Sequence, residues 1–128
     1  MLDLLLVEDD PFLQSIEMRL IQHCHHNVFL AESGERALEM LQSYRFDGVL
    51  MDLNMPGMSG LEAMAALKSF AISQPVIALT GNNDAETRQL CLNSGMLDCI
   101  HKPLTPEKIQ SFVTTFCRYL DSSKLAVP

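Results

Sequence analysis

Four stretches of this chain share one design: a short apolar run that stops at a polar side chain able to handle phosphate or a divalent cation. Leu4-Leu5-Leu6-Val7 runs into Glu8-Asp9, and Gly48-Val49-Leu50-Met51 into Asp52. Val76-Ile77-Ala78-Leu79 runs into Thr80, and Cys99-Ile100-His101 into Lys102. Near-continuous apolar runs separated by helical patterns are what a parallel sheet covered on both faces requires, since neither face of such a strand meets water. Parallel strands bring their C-terminal ends to one edge, and open α/β sheets bind ligands in the crevice outside that edge. The pattern predicts that these carboxylates, the hydroxyl and the ammonium share one crevice.

The intervening segments carry helix signals. Asp10-Pro11 offers an N-cap with proline at the first helical position, and Leu13, Ile16, Leu20 and Ile21 then recur at helical spacing, with an end near His23. Asn27–Ala31 reads as a second strand, and Glu35–Tyr44 as a second helix with Ala37, Leu38 and Leu41 inward. Ser59 with Glu62, and Asn83 with Glu86, fit the reciprocal capping box and open helices three and four. The last helix opens at Thr105-Pro106-Glu107 and sets Ile109, Phe112, Val113, Phe116 and Leu120 on one face. The pattern lapses after Leu120, so residues 1–120 are expected to form the domain and 121–128 a tail or clipped linker. Strict alternation of strand and helix with short connections predicts right-handed crossovers around a five-stranded parallel sheet.

A length of 128 residues with a 48% hydrophobic fraction suffices for one core without disulfides. Cys24, Cys91, Cys99 and Cys117 form no Cys-x-x-Cys pair and read as small core residues. His23, Cys24, His25 and His26 cluster at the end of the first helix, where a solvated helix terminus explains them better than a metal site. A net charge of -7 offers no basic stripe for phosphate backbones, which argues against direct nucleic-acid binding; any DNA-directed output is expected elsewhere. No apolar run is long enough to span a bilayer, and no basic leader precedes the first strand, so no membrane association and a cytoplasmic location are expected.

At the predicted edge, Glu8, Asp9 and Asp52 would repel one another by roughly 4 kcal/mol per pair at about 4 Å and an effective dielectric near 20. Lys102 offsets one charge, and a divalent cation balances the remaining two. Two carboxylates, a backbone carbonyl and water form an all-oxygen set that suits Mg²⁺, with Mn²⁺ able to substitute, rather than zinc. The same arrangement suits phosphoryl transfer to a carboxylate: Asp52 as in-line nucleophile, with Thr80 and Lys102 on the phosphoryl oxygens. Gly57 and Gly60, behind Met55-Pro56, permit a tight loop next to Asp52. Taken singly each motif has an ordinary explanation: Asp10 as a helix cap, Asp52 as a turn residue, Thr80 as strand termination, Lys102 as an exposed lysine. Together they favour the site.

These pieces, Val7-Glu8-Asp9-Asp10-Pro11, Met51 to Gly60, Ala78-Leu79-Thr80-Gly81 and His101-Lys102-Pro103-Leu104, resemble the receiver domain of two-component response regulators over essentially the whole chain. The resemblance implies a flavodoxin-like doubly wound sheet of order 2-1-3-4-5 with five helices. It implies Asp52 as phosphoacceptor, Glu8 and Asp9 binding Mg²⁺ with the Asn54 carbonyl, Thr80 and Lys102 on the phosphoryl group, and a cis peptide before Pro103. It further implies a histidine kinase or histidine phosphotransfer protein as donor and an effector domain or protein as recipient. Catalysis is then confined to the domain's own phosphorylation and dephosphorylation. Cys99 departs from the family, which commonly places Tyr or Phe there. The run Ser94 to Pro103 is similar to receivers of hybrid sensor kinases and phosphorelays. Two other functions compete: a small Mg²⁺-dependent aspartyl phosphohydrolase, against which Asn54 stands where a general-acid Asp is wanted, and a pseudo-receiver serving only in protein interaction. Phosphorylation-driven dimerisation through the fourth and fifth helices is left open.

Overall fold

The computed structural model describes residues 1–82 and 84–125, without the side chains of 123–125. Strand β1 spans Asp3–Val7, β2 Asn27–Ala31, β3 Gly48–Asp52, β4 Val76–Thr80 and β5 Asp98–His101. They alternate with α1 (Pro11–His23), α2 (Gly34–Ser43), α3 (Gly60–Ser69), α4 (Ala85–Asn93) and α5 (Pro106–Leu125). All pairings are parallel and the strand order is β2-β1-β3-β4-β5, as expected.

Alternation along each strand explains why the runs had to be apolar throughout. Leu5, Val7, Val49, Met51, Val76 and Ala78 face a core closed by Ala37, Leu38 and Leu41 of α2, Ala63, Met64 and Leu67 of α3, and Cys91 of α4. Leu4, Leu6, Leu50, Ile77, Leu79 and Ile100 face the opposite core, closed by Ile21 of α1 and Ile109, Phe112, Val113 and Phe116 of α5. The register sets Val7 beside Met51, Asp52 beside Leu79 and Thr80 beside His101, so the polar residues that end the runs emerge along one edge.

The caps follow the chemistry of the sequence. Asp10 accepts from the Phe12 and Leu13 amides with Pro11 at the first helical position, and Ser59 forms the full capping box with Glu62. Three local expectations are corrected. The N-cap of α4 is Asp84, which accepts from the Thr87 amide, rather than Asn83 in a box with Glu86; Asn83 itself lies outside the described residues. Helix α5 continues past Leu120 to Leu125, since polar residues there interrupt the apolar stripe without breaking the backbone pattern. On α1, Ile16 points outward at 41% exposure, and the inward position one residue on belongs to Glu17 at 3%.

Candidate functional site

Strand parity decides which helix layer each strand-end residue faces. Glu8 follows Val7, Asp52 follows Met51 and Lys102 follows His101, which places all three on the α1/α5 side of the sheet. One carboxylate oxygen from each of Glu8, Asp9 and Asp52 lies within 4.8 Å of the others. Lys102 Nζ donates to Glu8 Oε1 at 2.7 Å and stands 3.4 Å from Asp52 Oδ2. Glu8 is fully buried and Asp52 is 4% exposed, so these charges interact with little help from water.

The backbone holds the acids in place. Asn54 donates its amide to Asp52 Oδ1 at 3.1 Å, Asp10 donates its amide to Glu8 Oε2 at 3.3 Å, and Gln14 Nε2 of α1 donates to the Glu8 carbonyl at 2.7 Å. Gly60 lets the first turn of α3 press against β3: a Cβ there would sit 2.5 Å from the Asp52 carbonyl oxygen. Gly57 takes φ +78, a conformation that favours glycine. Beyond the sheet edge the Lys102–Pro103 peptide is cis, as expected from the resemblance. Lys108 Nζ ties this turn down by donating to the carbonyls of His101 (2.7 Å) and Pro103 (3.0 Å).

Thr80 is placed differently. It follows Leu79 and so faces the α4 side, where its Oγ1 accepts from the Asn82 amide at 3.0 Å. Its carbonyl accepts from the Lys102 amide at 2.7 Å, so the hydroxyl and the ammonium end adjacent strands while facing opposite layers. On that α4 side, Arg88 reaches β5, pairing with Asp98 at 2.8 Å and donating to the Cys99 carbonyl at 3.3 Å. His101 Nε2 lies 3.2 Å from the Gly81 carbonyl.

Burial and crowding divide the acids electrostatically. Burial pushes Glu8 up, but the bond to Lys102, the contact with Asp52 and the Lys102 charge outweigh it and hold Glu8 below the usual carboxylate range. Asp52 is raised to about 6, first by burial and then by Glu8, with Lys102 opposing. The closer ammonium explains the split: Glu8 keeps the charge and Asp52 bears the cost of a like neighbour. Lys102 is raised because its bond to Glu8 and the surrounding carboxylates exceed the effect of its own burial.

Two contributors escaped the sequence reading, Gln14 and Glu17. Both sit on α1, where polar residues in an amphipathic helix look like solvated ones. The signal that could have found Glu17 is its spacing: it falls four residues after Leu13 and four before Ile21, inside the apolar stripe. Burial raises its carboxyl to about 8, with Lys102 opposing and Glu8 and Asp52 reinforcing. Its Oε1 is the one buried side-chain polar atom among the described residues that lacks a partner.

The donor set is three carboxylates, with no His or Cys in the cluster. Hard oxygen donors with excess negative charge fit Mg²⁺. A buried carboxylate beside an ammonium at an open sheet edge is also equipped to attack phosphorus.

Comparison with known proteins agrees with this chemistry. The family profile described as response regulator receiver domain matches residues 4–114. Sensor histidine kinase RcsC of Escherichia coli is 31% identical over 121 residues, which cover 94% of this chain and 13% of RcsC. Transcriptional regulatory protein ZraR of Klebsiella oxytoca is 37% identical over 108 residues, covering 84% of this chain and 24% of ZraR. The chain thus spans a quarter or less of either relative's own length. Among solved structures, chemotaxis protein CheY4 of Vibrio cholerae superposes with a TM-score of 0.81 at 28% identity, covering 89% of this chain and 97% of that one. The receiver domain of sensor histidine kinase PA1611 of Pseudomonas aeruginosa, with a magnesium ion coordinated in its active-site cleft, gives a TM-score of 0.78 at 28% identity over 90% of this chain and 96% of that one. With its sheet order, its acidic strand ends and a family match over most of its length, the chain belongs to the response regulator receiver domains of two-component signal transduction.

Proposed function

We propose that this receiver works by accepting a phosphoryl group on Asp52 in a reaction that depends on Mg²⁺. The observation that carries the proposal is the convergence of Glu8, Asp9 and Asp52 within 4.8 Å, with the Lys102 ammonium beside them at the open edge of the sheet. The ion's ligands are the carboxylates of Glu8, Asp9 and Asp52 and the carbonyl of Asn54. Bound there, Mg²⁺, or Mn²⁺ in its place, offsets the negative charge on acids and phosphate alike. The magnesium in the PA1611 receiver supports this assignment.

An Asp52 carboxylate oxygen forms the new P–O bond in line as the P–N bond of a donor phosphohistidine breaks. The donor is a histidine kinase or a histidine phosphotransfer protein. Lys102, already poised between Glu8 and Asp52, turns its ammonium to one phosphoryl oxygen. Thr80 exchanges the Asn82 amide for another, drawing the β4–α4 loop inward. The displaced loop shifts the face of α4, β5 and α5, which an effector reads; the ligand selects between two arrangements of the domain rather than creating one. The domain acts on no other substrate and promotes only its own phosphorylation and dephosphorylation.

Residues 1–120 carry the working unit, and the end of α5 beyond Leu120 leads out of it toward a tail or linker. Placement in the cytoplasm accords with the absence, among the described residues, of any helix long and apolar enough to cross a membrane. A relay role, passing the group onward to a phosphotransfer histidine, is the second reading, favoured by the similarity to RcsC. Borohydride reduction of the acyl phosphate after incubation with acetyl phosphate and Mg²⁺, followed by peptide mapping, tests the assignment. Reduction products confined to Asp52 support it, and a phosphoryl group on another residue overturns it.

A further inference from the structure

Lys108 stands where a helix wants the opposite charge. Helix α5 is capped by Thr105, whose Oγ1 accepts from the Lys108 amide at 3.2 Å and whose carbonyl accepts from the Ile109 amide at 2.9 Å. Pro106 and Glu107 follow the cap, so Lys108 falls in the first turn, at the position where a capping box carries Glu or Gln. The positive end of the helix dipole disfavours a cation there. The side chain is half-buried, and no carboxylate among the described residues pairs with its ammonium.

Its partners are backbone instead. Lys108 Nζ donates to the carbonyls of His101 at 2.7 Å and Pro103 at 3.0 Å, the residues on either side of Lys102. The Lys102 amide donates in turn to the Thr80 carbonyl at 2.7 Å. The backbone around Lys102 is thus held from β4 on one side and from α5 on the other. That matters because a lysine side chain is a long flexible stem, and Lys102 Nζ stands 2.7 Å from Glu8 Oε1 and 3.4 Å from Asp52 Oδ2. Rooted in a loose turn, the same stem spreads its ammonium over a wider space, and a misplacement of about 1 Å is costly to a transfer step.

We propose that Lys108 is a positioning residue of the phosphoacceptor site: by bridging the carbonyls of His101 and Pro103 it fixes the turn from which Lys102 reaches the transferring phosphoryl group. The inference rests on the assignment of Asp52 as phosphoacceptor and deepens it, since it gives the first turn of α5 a part in setting the rate. Lys108 acts only through the backbone around Lys102.

The test compares Lys108→Met, which keeps the stem and loses the donors, with Lys108→Arg, which keeps charge and donors, in the full chain. Lys108→Ala is a second removal and decides alone where Met does not fold. Three readouts are taken. They are the rate of phosphoryl gain from acetyl phosphate at saturating Mg²⁺ by intact mass, the dissociation constant for Mg²⁺ by calorimetry, and the rate at which acetic anhydride acetylates Lys102 in chelated buffer. The last is read by peptide mapping against the exposed Lys68. Met and Ala are expected to slow phosphoryl gain about tenfold and to speed Lys102 acetylation about fivefold, with Mg²⁺ binding within about twofold of the parent. Arg brings both rates back to within about twofold. A lost charge acts at a distance only in dilute salt, so the defect should persist as ionic strength rises from about 0.05 M to about 0.5 M. Removal that leaves Lys102 acetylation at the parent rate overturns the inference. A defect that salt abolishes, or Mg²⁺ binding weakened as much as phosphoryl gain is slowed, overturns it too. A parent that binds Mg²⁺ but gains no phosphoryl group defeats the assignment of Asp52, and the Lys102 acetylation rates still decide the role of Lys108.

Discussion

At the scale of single residues the site is a problem of charge placed where water is scarce. Burial raises Glu17 to about 8 and Asp52 to about 6, so both keep their protons to higher pH in the folded state than in the unfolded one. An acid with a raised folded value adds stability that is complete below the ordinary carboxylate range. That stability is lost as pH climbs through the raised value. Glu8, held low, has the opposite sign and loses its contribution only in acid. Without divalent cation, the melting temperature should fall between about pH 5 and about pH 8, by the equivalent of a few kcal/mol. Glu17→Leu should remove the upper part of that slope. A thermal melt series in chelated buffer measures it, and a parent curve that is flat or rising over this window contradicts the charge assignment. Lys102→Met should destabilise the fold by about 3 kcal/mol, because it strands the buried Glu8 charge; denaturant titration reads this out.

At the scale of elements, the strands were the most legible part of the sequence and the α1 stripe the least. A buried parallel strand needs apolar side chains on both faces, so its limits coincide with its composition, and Asn27–Ala31 and Gly48–Asp52 can be read directly. Helix boundaries depend on caps, and several neighbouring residues can serve. Asp84 prevails at α4 because its carboxylate reaches the Thr87 amide. Periodicity alone could not choose between Ile16 and Glu17 for an inward position, since a carboxyl within an amphipathic helix reads as solvated, yet Glu17 is 3% exposed and Ile16 41%. The strand-end residues were visible from their motifs, but the opposite facings of Thr80 and Lys102 follow only from register and parity. Helix α4 stands apart in its packing: Cys91 is its single buried residue, and Arg88 fastens it to β5 through exposed polar contacts. Such a helix opens at low cost. Amide exchange in α4 should run at least about tenfold faster than in α3, which buries Gly60, Ala63, Met64 and Leu67. Equal protection in the two helices would contradict the assignment of α4 to the moving face.

At the scale of the whole molecule, the fold separates a rigid part from a responsive one. Two apolar layers clamp the sheet, with Phe112 and Phe116 fully buried on one side and Met51 and Leu67 on the other, so the strand ends are held in register. The acids stand on the α1/α5 side of that platform, and Thr80, Cys99 and the α4 contacts stand on the other. If Asp52 is the phosphoacceptor as proposed, the strand termini that adjoin it at the sheet edge, rather than the core, connect it to Thr80. With Cys99 where the family commonly has an aromatic ring, the contacts that link the β4 and β5 ends to α4 are the Asn82 amide to Thr80, the His101 contact to Gly81 and the Arg88 bond to the Cys99 carbonyl. The central claim is that Asp52 accepts a phosphoryl group only when a divalent cation balances the acids. Intact mass after incubation with acetyl phosphate, with and without Mg²⁺ and beside Asp52→Asn, tests it most directly. The account predicts a gain of one phosphoryl group in the parent with Mg²⁺, and none in chelated buffer or in Asp52→Asn. Phosphoryl gain that survives chelation, or that persists in Asp52→Asn, would contradict it.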